Sequence, residues 1–132
     1  MREPTIRILL AEDNPAMANV MRFNLERIGA EVSMAQHGKE AIELLEESKF
    51  DMLVTDLQMP QMNGDELCRY LRQQSEWADL PIVLCSAKGL ESNTRKLVEQ
   101  CRIQKVFFKP FSPQELVSYV EGFAKEAATA AT

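Results

Sequence analysis

A chain of 132 residues, 45% hydrophobic and 27% charged, is long enough for one domain with a real core. Its formal net charge of -5, with basic residues scattered rather than blocked, excludes a broad nucleic-acid or anionic-membrane binder. No apolar run approaches the roughly 18 residues of a membrane span, and acids stand in MREPTIRILLAED where a secretory signal would be apolar, so a cytoplasmic protein is expected.

Short apolar runs alternate with longer stretches of helical period. The first strand is expected over IRILLA (6–11). A helix follows, with Asn14 as its N-cap, Pro15 at its first position and Gly29 as its stop. Met17, Val20, Met21, Phe23, Leu25 and Ile28 are expected to form its apolar face. EVSMA (31–35) is the second strand. The helix after it runs from about Lys39 to Glu47 and buries Ala41, Ile42, Leu44 and Leu45. MLVTD (52–56) is the third strand, and the next helix begins near Gly64, burying Leu67, Cys68 and Leu71.

PIVLCS (81–86) is the fourth strand. A helix from about Glu91 carries a thinner stripe of Leu97, Val98 and Cys101. KVFF (105–108) is the last strand. The final helix opens on SPQE, with Ser112 as N-cap, Pro113 at the first position and Glu115 completing a capping box, and its face is Leu116, Val117, Val120 and Phe123. The sequence divides into a domain over 1–126 and an Ala-rich tail over 127–132 that frays or begins a linker. Cys68, Cys85 and Cys101 form no CxxC pair and read as reduced core thiols.

Five strand–helix repeats predict an α/β fold, a doubly wound five-stranded parallel sheet of flavodoxin-like (βα)5 form in the order 2-1-3-4-5. Ligands of such sheets bind beyond the carboxyl ends of the strands. Strand 1 delivers Glu12 and Asp13 there, strand 3 Asp56, strand 4 Ser86 and strand 5 Lys109. Singly, each is ordinary loop chemistry. Together they put three carboxylates, a hydroxyl and an ammonium at one crevice. Crowded carboxylates repel, and Mg²⁺ relieves that while leaving positions for phosphate oxygens. A nucleophile, a metal and two charge stabilisers are the parts of phosphoryl transfer.

On Glu12–Asp13, Asp56, Met59–Pro60, Gly64, Ser86–Ala87 and Lys109–Pro110, the chain resembles the receiver domain of two-component response regulators over about residues 5 to 125. The resemblance implies that Glu12 and Asp13 hold Mg²⁺, Asp13 more directly. It implies that Asp56 ligates the metal and accepts the phosphoryl group from a phosphohistidine, and that Gln58 offers the metal its backbone carbonyl. Ser86 and Lys109 then grip the phosphoryl oxygens, with the Ala87 N–H as a further donor. The Lys109–Pro110 bond is expected to be cis. Pro60 delays the following helix, and Gly64 takes a conformation near its start that a Cβ would resist.

The implied partners are a sensor histidine kinase or phosphotransfer protein upstream and a protein target or attached output domain downstream, with no direct nucleic-acid or membrane contact. The chain is expected to be no enzyme beyond catalysing its own phosphorylation and dephosphorylation. It is read as either a stand-alone regulator or a receiver from a longer protein.

One position departs from the family. An aromatic residue usually stands three before the lysine, and here it is Val106; Phe107 and Phe108 read as core packing. Gln58 and Lys88 flank the site and are expected to tune the phosphoryl lifetime. His37 sits in a polar loop with no metal-site companion, Trp77 covers the end of the third helix, and Met17, Met21, Met52, Met59 and Met62 read as packing.

Three other functions are weaker. A haloacid-dehalogenase-type hydrolase wants an acid where Gln58 stands, and a cap domain. A flavin binder wants a glycine- or hydroxyl-rich cradle where EDNPAM stands. An unphosphorylated partner-binding receiver would lack one of the polar groups found here.

Overall fold

The computed structural model describes residues 5–87 and 92–131. In chain order the elements are Arg7–Ala11 (β1), Pro15–Arg27 (α1), Glu31–Ala35 (β2), Gly38–Glu47 (α2), Met52–Asp56 (β3), Gly64–Gln73 (α3), Ile82–Ser86 (β4), Ser92–Cys101 (α4), Lys105–Phe108 (β5) and Pro113–Ala131 (α5), with a single 3-10 turn at Ser75–Trp77 before β4. The strands form one parallel sheet in the order β2-β1-β3-β4-β5, as predicted.

Strand alternation divides the core into two layers. Ile8, Leu10, Met52, Val54, Val83, Cys85 and Phe107 face α1 and α5. Leu9, Ala11, Leu53, Ile82 and Leu84 face α2, α3 and α4. The central strands β3 and β4 are buried at every position, which is why each opens as an apolar run before its polar carboxyl end. Among the described residues no helix is long and apolar enough to cross a membrane.

Helix ends follow the punctuation. Asn14 Oδ1 accepts from the Met17 N–H, and Pro15 opens α1. Gly29, at φ +95°, closes it: its N–H donates to the Glu26 carbonyl and that of Ala30 to Leu25, the paired bonds of a Schellman end. Glu115 Oε2 accepts from the Ser112 N–H at 2.8 Å, the glutamate half of the expected box. A box the sequence reading passed over sits at α3, where Asn63 and Glu66 exchange bonds; the signal was there in NGDE.

Several expectations are corrected. Only Met21 and Leu25 of the six residues assigned to the α1 face are buried, and Ala18 joins them. Spacings of three and four residues place those three on one side, whereas Phe23 turns away and is 61% exposed. Met17 is exposed too, not packed. Phe108 is largely exposed at the end of the edge strand β5, while Phe107 is core, against Phe111 and Tyr119. His37 stands in the polar turn before α2, as expected, and caps that helix through Nδ1. Residues 127–131 continue α5 helically, as alanine's high helix propensity favours. Trp77 is buried beside Tyr70 at the end of α3, as expected.

Candidate functional site

The carboxyl edge of the sheet gathers the residues that the sequence assigns to it. Glu12, directly after β1, is held by its backbone N–H on the Ala35 carbonyl at the end of β2, 3.0 Å away. Its Oε2 accepts from the Asn14 N–H. Asp56 closes β3, with its own carbonyl taking the Thr55 hydroxyl at 3.0 Å. One carboxylate oxygen from each of Glu12, Asp13 and Asp56 lies within 4.8 Å of the others. Asp13 is exposed; Glu12 and Asp56 are only 4% and 7% exposed.

Lys109, after β5, supplies the counter-charge. Its Nζ stands 3.0 Å from Glu12 Oε1 and 3.1 Å from Asp56 Oδ1, bridging the two buried acids. Burial pulls this ammonium down, but the hydrogen bonds to Glu12 and Asp56 outweigh it, and its pKa ends raised. Asp56 is also raised: burial pushes it up, the Lys109 bond opposes, and the Glu12 charge adds to burial. The two shifts are compatible, because one ammonium is shared between two carboxylates.

The backbone beneath is fixed. The Lys109 N–H donates to the Ser86 carbonyl at 2.7 Å, tying the ends of β4 and β5, and the Lys109–Pro110 bond is cis. Ser86 is fully buried. The Leu57 N–H donates to the Cys85 carbonyl, and the Gly64 N–H to the Leu57 carbonyl, so residues 57–64 form a closed loop. Gln61 at φ +65° turns it. Gly64 is needed for space rather than conformation, correcting the expectation: its φ is ordinary, but a Cβ there would meet the Asp56 carbonyl oxygen and come within 2.9 Å of the Leu57 Cα. Gln58 is exposed two residues beyond Asp56. Lys88 lies outside the described residues.

Three acids with one shared ammonium suit a hard divalent cation: oxygen donors only, more negative charge than Lys109 neutralises, and one acid open to solvent.

Comparisons with known proteins identify the family. The family model described as the response regulator receiver domain matches residues 8–121. The chain is 37% identical over 121 residues to the phosphate regulon transcriptional regulatory protein PhoB of Rhizobium meliloti, covering 92% of this chain but 53% of that regulator. It is 30% identical to a chemotaxis protein CheY homolog of Campylobacter jejuni, covering 88% of this chain and 90% of the homolog. Among solved structures, the Francisella response regulator 1452 receiver domain superposes with a TM-score of 0.84 at 28% identity, over 93% of this chain and 99% of that one. The chain thus spans about half the length of the transcriptional regulators it matches and nearly all of the chemotaxis protein. It belongs to the response regulator receiver domain family, the signalling module of two-component systems.

Proposed function

We propose that Asp56 accepts a phosphoryl group from a phosphohistidine of a sensor histidine kinase or phosphotransfer protein. An Asp56 carboxylate oxygen attacks phosphorus, the O–P bond forms as the N–P bond breaks, and a donor ring protonated on its other nitrogen leaves as neutral imidazole. The observation that carries this reading is the Lys109 ammonium, 3.1 Å from Asp56 Oδ1, where a transferred phosphoryl oxygen would arrive. Burial of Asp56 disfavours the ionised form that must attack, and the Lys109 hydrogen bond opposes that by favouring the carboxylate. Ser86, at the end of β4, is the hydroxyl assigned to a second phosphoryl oxygen.

Glu12, Asp13 and Asp56, with the Gln58 carbonyl, would hold Mg²⁺, which supplies positive charge against the incoming phosphoryl oxygens. Later attack of water on phosphorus would release inorganic phosphate and restore the carboxylate. These are the domain's own phosphorylation and dephosphorylation.

The protein donor is proposed to sit beside Lys109. An apolar hollow of about 380 Å³ opens beside Lys109, formed with Met17, Val20, Pro110, Phe111 and Pro113. Occupied by phosphate, the site is proposed to shift a conformational equilibrium that a protein target or attached output domain reads. The receiver is assigned to 1–126, and the helical continuation from 127 is proposed as the start of a connection.

Intact mass after incubation with acetyl phosphate tests this reading. One phosphoryl adduct is expected with Mg²⁺, none without it and none in Asp56→Asn. An unconsumed donor with no adduct overturns it in favour of a receiver that only binds partners.

A further inference from the structure

The turn from β2 into α2, ending on the cap His37 and the first helical residue Gly38, sends no side chain into the acidic site. Its backbone nevertheless touches both halves of that site. The Ala35 carbonyl accepts from the Glu12 N–H at 3.0 Å, and three residues later the Gly38 N–H donates to the Met62 carbonyl, also at 3.0 Å, in the loop that follows Asp56. Between these points the chain is closely determined. His37 Nδ1 accepts from the Glu40 N–H at 3.2 Å, and Glu40 Oε1 accepts from the Gln36 N–H at 2.6 Å. The imidazole therefore caps α2 in place of the usual oxygen.

Gly38 leaves no slack against the loop. A Cβ there would stand 2.7 Å from the Met62 carbonyl oxygen and 2.7 Å from its Cγ. Real Cβ atoms do not approach so closely, so any side chain at 38 must push residues 57–63 away from α2, and that loop hangs from Asp56. The Leu57 and Gly64 bonds close it but tie it only to β4 and to itself. Among the described residues, the loop's backbone hydrogen bond toward the Glu12 side of the sheet runs through Gly38.

We infer that the segment 35–38, through the His37 cap and the Gly38–Met62 contact, is a positioning strut that sets the Asp56 loop relative to Glu12 and so sets the affinity of the acidic site for Mg²⁺. The inference rests on the metal-dependent phosphoryl-acceptor reading and adds residues to it that touch neither metal nor phosphate. Partners that orient ligands without ligating typically change metal affinity by about 10- to 100-fold when removed.

Gly38→Ala, His37→Ala and His37→Asn separate positioning from mere stability. Two readouts are taken on the whole chain: Mg²⁺ affinity by calorimetry, and amide exchange of Leu57 and Gly64 in metal-free protein against Leu9 and Leu53 in the core. Gly38→Ala and His37→Ala are expected to weaken Mg²⁺ on the order of tenfold and to speed exchange at Leu57 and Gly64 alone. His37→Asn, which keeps a cap acceptor, is expected to recover both. Folded variants that bind Mg²⁺ like the wild type overturn the strut, whatever their exchange. If Gly38→Ala does not fold, the His37 pair decides. A wild-type protein that takes up Mg²⁺ but no phosphoryl group fails the functional reading alone, and one that binds no Mg²⁺ fails both.

Discussion

Asp56 is held between opposing influences, and their balance has a measurable sign. Burial and the Glu12 charge raise its pKa above the usual 3.8 more strongly than the Lys109 hydrogen bond lowers it. A carboxyl whose folded pKa is raised binds its proton better in the native state. That advantage is fully present below 3.8 and is lost as pH rises through the raised value. Metal-free wild-type protein should therefore lose stability across this window on going from acid to neutral pH. Asp56→Asn, which cannot ionise, should lose less, and at neutral pH should melt higher than the wild type. Thermal midpoints of the two proteins over a pH series check this. Equal slopes would mean that Lys109 fully compensates the buried charge. Lys109 has its own window, at high pH, because the two carboxylates raise its pKa above 10.5 and its contribution disappears only as pH rises through that value. The two effects are thus separable.

Elements show which interactions sequence reasoning reaches. β2, β3 and β5 match their predicted bounds, and β1 and β4 differ by one residue, because parallel strands covered on both faces admit few polar residues. The site was legible for a related reason: the rule that strand ends converge needs only strand order, so Glu12, Asp13, Asp56, Ser86 and Lys109 followed from it. The side of α1 facing the sheet was not legible. A helix carrying apolar residues around its circumference has no unique face, and the burial of Ala18 beside Met21 and Leu25 is not signalled by composition. The role of Gly64 was equally hidden, since it depends on the Asp56 carbonyl lying across from it in space. Two alanine substitutions separate these glycine roles. Gly29→Ala places a Cβ at φ +95° with open space around it, a local cost of about 1 kcal/mol. Gly64→Ala forces a Cβ against the backbone of Asp56 and Leu57 and should cost more, about 1–3 kcal/mol by overpacking. Urea midpoints at unchanged slope are expected to fall in that order. The reverse order would show that the loop after Asp56 yields freely.

The three thiols report on the molecule as a whole. Cys68 packs in the layer under α2, α3 and α4, and Cys85 in the layer under α1 and α5, so the sheet separates them. Burial pushes both up to about 12, with the neighbouring Cys101 adding to it at Cys68 and Asp56 at Cys85. Cys101 is also buried and raised. The thiolate is the reactive form, so native protein should resist alkylation at mildly alkaline pH and become reactive on opening. A single cooperative domain predicts one rate for Cys68 and Cys85, although they lie in different layers. Mg²⁺ adds a second condition. A ligand that binds only the folded state lowers the open population by 1 + [L]/Kd, about 100-fold at a concentration of 100 Kd. If the sheet couples both layers to the acidic site, Mg²⁺ should slow alkylation of the distant Cys68 as much as that of Cys85, beside Ser86. Mass-resolved labelling of each cysteine with and without Mg²⁺ measures this directly. Protection confined to Cys85 would mean that the layer under α2, α3 and α4 opens without the site, and that two-state unfolding fails here.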